Sequence, residues 1–149
     1  MKGSKDAREE MLNNWVTFEG VMRKLMISDE MTHQEVCICN LISNSSRPVT
    51  ATDLCEKLSM HKSQMNRTLT RLEDAKIIIR ERSDDDRRMM YIKLNKEHLS
   101  SYNKLHEKAL KIVDALIKKI GVSRTEEMND MIKRLSNALD DIMSTEETK

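Results

Sequence analysis

Between Leu54 and Asn95 the chain reads LCEKLSMHKSQMNRTLTRLEDAKIIIRERSDDDRRMMYIKLN, and this order leaves few folds open. Two short helical patterns lead into an apolar run, a charged tip and an alternating strand, the order of a helix-turn-helix followed by a two-stranded wing. The second helix, Lys62 to about Ala75, has a narrow apolar stripe of Met65, Leu69 and Leu72, at spacings of four and three. Gln64, Arg67, Thr68 and Arg71 are expected to share the opposite side, with Asn66 and Thr70 adjoining it. No acid interrupts this helix before Glu73, whereas an ordinary solvated face mixes both signs. Ile77, Ile78 and Ile79 are β-branched and too short a run for a helix, so they begin a strand. Met90, Ile92 and Leu94 alternate with Met89, Tyr91 and Lys93 on the return. The tip from Arg82 to Arg88 is almost entirely charged, so it cannot pack and must project.

The rest of the chain reads as helix. With 38% apolar residues, 3% aromatic, three glycines and one proline, the core is built from Leu, Ile, Val and many of the twelve methionines. From Asp6 to about Ile27, Met11, Trp15, Phe18, Met22, Leu25 and Met26 recur at helical spacing. Thr32-His33-Gln34-Glu35 is a capping-box pattern. The helix after it, with Val36, Cys37, Ile38, Cys39, Leu41 and Ile42, is apolar nearly all round and should be central. Thr50-Ala51-Thr52-Asp53 repeats the signature and opens a short helix through Leu58. A long helix is expected from Lys96 to Ile120, closed by Gly121, with Ser123-Arg124-Thr125-Glu126 capping a last one. The first and the last two helices carry more apolar surface than the compact middle can cover. The expected fold is therefore mostly α with a small β-wing: one domain over 1–149, in which about 32–95 form a winged helix-turn-helix core. About 5–28 and 96–147 form a helical dimerisation region, and a second copy covers its apolar faces. An intramolecular bundle is the plainer alternative.

Charge is concentrated rather than abundant. The formal net charge is +1, yet Lys57 to Lys93 holds ten bases against six acids. A local positive field on the segment that carries the motif suits nucleic acid. The first ten residues carry both charge signs and no apolar run, and no stretch approaches the roughly 18 apolar residues of a membrane span. Cys37, Cys39 and Cys55 are odd in number and lie in helical patterns, which points to a reduced, cytoplasmic setting.

The order of helices and wing resembles the MarR family of winged helix-turn-helix regulators over essentially the whole chain. The sharpest local likeness is in the wing, where the family carries Asp-x-Arg, five residues, then Leu and usually Thr. Here Asp86-Arg87-Arg88 is followed by Met89 to Lys93, then Leu94 and Asn95. Asn66 to Glu73 resembles the family's recognition helix. Three positions depart from the pattern. Lys76 stands where the recognition helix usually ends in glycine, and must adopt a left-handed conformation or end the helix differently. Asn95 replaces the usual Thr, and His98 a common Gly.

Chemistry and resemblance together assign roles. Ser63, Gln64, Asn66 and Arg67, in the early turns of the recognition helix, are expected to reach base edges, since Arg suits guanine and Asn or Gln suits adenine. Lys62, Thr68 and Arg71 are expected on phosphates. Arg88 is expected in the minor groove, where negative potential is enhanced, with Asp86 orienting its guanidinium and Arg87 a further DNA-binding residue of the wing. The resemblance implies a homodimeric, sequence-specific transcriptional regulator on a pseudo-palindromic double-stranded operator, acting as a repressor released by a small-molecule effector. Two alternatives are a winged-helix module for protein contacts and a cysteine-based redox-responsive regulator. Cys37 and Cys39 point to different faces of their helix, however, so buried small apolar residues is the better reading of them. His33 and Cys37, four apart, could share a metal, but no third ligand stands out. His98 and His106 read as solvated. With no glycine-rich phosphate loop, nucleophile elbow or metal-ligand cluster, neither an enzyme nor a cofactor is expected.

Overall fold

Two of the core helices begin where a side chain satisfies their orphan amides. The computed structural model describes residues 4–25, 29–84 and 86–146, and the chain divides into two units, Met1–Glu107 and Lys108–Lys149. The first unit opens with α1 (Ser4–Leu25), along which Trp15 and Phe18 are exposed. Met26 and Ile27, expected to extend it, lie outside the described residues. α2 (His33–Ser43) starts in a complete capping box: Thr32 Oγ1 accepts from the Glu35 amide, and Glu35 accepts from the Thr32 amide at 2.7 Å. α3 (Ala51–Leu58) starts the same way, with Thr50 and Asp53 in those roles. Both boxes are where the sequence places them.

The helix expected to recognise DNA is α4 (Lys62–Asp74), which ends one residue earlier than expected. It ends at a left-handed Lys76 (φ 59°), whose amide bonds the Glu73 carbonyl at 2.8 Å while the Ile77 amide bonds that of Leu72, also at 2.8 Å. This pair of bonds is a Schellman termination made without glycine. Ser59 (φ 48°) ends α3 by the same device, which the sequence gives no cue to. A β-carbon in that conformation costs about 1–2 kcal/mol. Lys76→Gly is therefore expected to raise stability by about 1 kcal/mol, read as a higher denaturation midpoint.

The wing has three strands rather than two. β2 (Ile78–Arg82) and β3 (Met90–Leu94) pair antiparallel, Ile78 opposite Leu94 and Arg82 opposite Met90. β1 (Val49–Thr50) adds to the other edge of β3, Val49 opposite Ile92, giving the order β1-β3-β2. Ile38, Leu54, Met65, Leu69, Leu72 and Ile78 are fully buried, so α2, α3, α4 and the sheet close one core.

Two expected boundaries shift. Lys96–His98 is a 3₁₀ turn capped by the Asn95 side chain, and the long helix α5 (Ser100–Ile120) starts only after it. At its end Gly121 takes φ 91°, and α6 (Val122–Glu146) follows at once. Ser123 and Thr125 are thus inside α6 rather than capping it, and the Thr125 hydroxyl donates to the Gly121 carbonyl at 2.9 Å. In the second unit Leu110, Val113, Met131, Ile132 and Ile142 are all exposed. No helix among the described residues is long and apolar enough to cross a membrane.

Candidate nucleic-acid interface

α4 turns a bare polar face outward because its apolar stripe is so narrow. Met65, Leu69 and Leu72 are buried, and Lys62, Ser63, Asn66, Arg67, Thr70 and Arg71 are exposed, with Gln64 half-buried beside them. Thr68 corrects the expectation for its position. It is buried, and its hydroxyl donates to the Gln64 carbonyl at 3.1 Å, so it faces the core rather than a phosphate. The reason lies in the spacing, since 65, 68, 69 and 72 fall on one side of a helix.

Arg71 is exposed but not uncommitted. Its guanidinium lies 3.1 Å from Glu35 Oε1, and the Glu35 side chain is only 6% exposed. The other carboxylate oxygen holds the Thr32 amide and hydroxyl, the latter at 2.9 Å. One buried acid therefore ties the start of α2 to the last turn of α4, a long-range contact that no sequence pattern announces. A second pair, Arg80 Nε to Glu73 at 3.1 Å, ties α4 to β2, and Lys93 pairs with Glu81 across the wing.

The wing tip is ordered by its own backbone. The Ser83 amide bonds the Met89 carbonyl at 3.0 Å, the Met89 amide bonds the Asp86 carbonyl at 2.9 Å, and buried Ser83 Oγ accepts from the Asp86 amide. The Asp86 carboxylate accepts from the Arg88 backbone amide at 2.9 Å. Asp86 thus shapes the turn that presents Arg88, where an orienting contact to the guanidinium was expected. Arg87 and Arg88 are both exposed.

Arg47 is a basic residue near this face that the sequence pattern does not single out. It precedes β1, is largely exposed, and pairs with Asp53 at 2.7 Å. The Thr50 hydroxyl and amide first, and then Arg47, hold the Asp53 carboxyl below the usual carboxylate range. A depressed carboxyl contributes stability that is present at neutral pH and is lost as pH falls through its folded pKa. Melting curves taken into the acid range should show this loss at the start of α3, and Asp53→Asn should remove that part of the pH dependence.

Cys37 and Cys39 are poorly suited to redox chemistry. Burial, reinforced by the charge of Glu35, pushes Cys39 up to about 12, and burial also raises Cys37. The thiolate is the reactive form, so neither is primed at neutral pH. Cys37 Sγ lies 3.6 Å from His33 Nε2, but no group of three or more His, Cys, Asp or Glu that could hold a metal occurs among the described residues. His98 is exposed with Nδ1 3.1 Å from the Asn95 amide nitrogen, and His106 stacks on Tyr102 with centroids 5.6 Å apart.

The family model described as the MarR family matches residues 30–89. No curated protein matches the sequence. Among solved structures, AbsC, a MarR family transcriptional regulator from Streptomyces coelicolor, is 20% identical with a TM-score of 0.72, over 95% of this chain and 97% of that one. FabT from Streptococcus pneumoniae, solved in complex with DNA, is 21% identical with a TM-score of 0.63, over 93% and 96% of the two chains. The transcriptional regulator BldR from Sulfolobus solfataricus is 14% identical with a TM-score of 0.67, over 89% and 99%. At these identities the likeness is one of fold.

Proposed function

We propose that this chain, which belongs through residues 30–89 to the MarR family of winged helix-turn-helix transcriptional regulators, is a homodimeric, sequence-specific DNA-binding repressor. The observation that carries the reading is the exposed face of α4, basic and polar and free of acid until Glu73. Ser63, Gln64, Asn66 and Arg67 would meet base edges in the major groove, with Lys62 and Arg71 on phosphates. Arg87 and Arg88, on a tip pre-shaped by Asp86, would enter the minor groove. That FabT has been solved with DNA supports a nucleic-acid partner for this fold. The family is one of regulators, not of enzymes.

The second copy is supported by apolar surface left open in both units: Trp15, Val16 and Phe18 on α1, and Met131, Ile132, Ile142 and Met143 on α6. Two such chains would set their recognition helices about one helical turn apart on a pseudo-palindrome. A hollow of about 400 Å³ in the first unit suits an effector. It is lined by Ile42, Val49, Leu94 and Leu99, with Lys93 and Lys96 among its residues, which fits a small anion with an apolar body. Selection of binding sites from random duplex DNA by the purified chain is the test. An inverted repeat with half-sites one turn apart is expected, and recovery of no enriched site would overturn the reading. Aromatic acids and oxidants screened for release of that site then separate ligand control from redox control. A winged-helix module for protein contacts would instead show only weak, nonspecific, salt-sensitive DNA binding.

A further inference from the structure

The first unit holds a second hollow, of about 570 Å³, between the start of α3 and the strands β1 and β3. Its lining combines two chemistries. Arg47 and Arg88 supply cations, and because β1 and β3 run antiparallel, these residues precede the two strands at opposite ends of the pair. Met89, Met90 and Tyr91 supply an apolar floor with Pro48 and Ala51. The two methionines stand 41% and 40% exposed, next to the most charged segment of the protein. Large apolar side chains so placed gain nothing from water. Of the two acids in the lining, Asp53 is already committed to the Thr50 cap and to Arg47.

We propose that this hollow seats the sugar–phosphate backbone of one DNA strand, with Arg47 on a phosphate, Met89 and Met90 against the deoxyribose faces, and Arg88 at the rim, from which it reaches on into the minor groove. The inference rests on the DNA-binding reading and adds a seat and two residue types to it. In a helix-turn-helix complex the first helix crosses the backbone, and here α3 is that helix. On this proposal, a strand held by α4 in one groove and by the wing in the next passes the edge of α3 and β3, where the hollow lies. Deoxyribose presents C–H faces between charged groups, and the lining presents thioethers between guanidiniums. An incoming phosphate would replace Asp53 as the partner of the exposed Arg47, and Asp53 would keep its bonds from the Thr50 amide and hydroxyl.

The test uses the full chain on its selected site, with affinity followed across a salt series. Arg47→Gln should weaken binding and make the slope of log K against log salt shallower by about 0.9 per protomer, with Arg47→Lys restoring the slope. Met89→Gln with Met90→Gln should cost roughly tenfold in affinity with the slope unchanged, because the loss is apolar area. Met89→Leu with Met90→Leu should retain affinity. The seat is refuted if the Gln variants keep both the parent affinity and the parent slope, or if the Leu pair falls as far as the Gln pair. A parent chain that binds no DNA overturns the functional reading instead, so the two failures are distinct.

Discussion

Leu69→Ala is expected to destabilise the protein by about 2–5 kcal/mol, well beyond what truncating an unpaired side chain on the exposed face of the same helix should do. Leu69 is fully buried at the centre of the inward stripe of α4, between Met65 and Leu72, both also buried. Truncation removes the transfer energy of its methyl groups and leaves a cavity that α2, α3 and the sheet, packed on one core, close only in part. Against a total stability of about 5–15 kcal/mol, such a loss is visible at once as a lower denaturant midpoint. Thr70→Ala, one position along and exposed, is the control and should stay within about 0.5 kcal/mol of the parent. A Leu69 variant as stable as that control would mean that the recognition helix is not held by its apolar stripe.

Arg67→Ala is expected to cost about 1–3 kcal/mol of base discrimination for each protomer's contact, so selection with the variant should recover a motif degraded at one position in each half-site. Lys62→Ala should behave differently. It should weaken binding to all sequences alike and make the salt slope shallower by about 0.9 per protomer. Arg88→Ala should lower affinity most on sites whose flanks are A·T-rich, where a narrow minor groove strengthens the negative potential. Measuring affinity on cognate and shuffled duplexes at three salt concentrations separates these outcomes. If the Arg67 and Arg88 variants both bind the selected site as the parent does, the residue assignments are wrong.

What the sequence made legible was local chemistry. Thr32 with Glu35 and Thr50 with Asp53 are side chains that satisfy amides within four residues, so their pattern alone locates two helix starts. The stripe on α4 and the alternation in β3 are likewise periodicities of single elements. The misses are interactions between distant residues or competitions between near ones. β1 has only two residues, and exists because Val49 and Thr50 find Ile92 and Tyr91 some forty positions away. The Asn95 side chain stops the long helix from starting at Lys96, a choice between 3₁₀ and α geometry that periodicity does not resolve. In the candidate site, polarity alone points Thr68 outward, yet a hydroxyl that bonds the carbonyl one turn back is compatible with burial. Arg47 lies before the motif in sequence and reaches the wing only through the sheet, so no local pattern marks it.

Glu35 has a consequence for how the recognition helix is tuned. Its carboxylate grips the Thr32 turn with one oxygen and the guanidinium of Arg71 with the other. Two distant stretches of chain are thereby yoked by a single anchor. A shift of the turn draws the anchor with it, and the sweep left to Arg71 is then trimmed or widened from another helix.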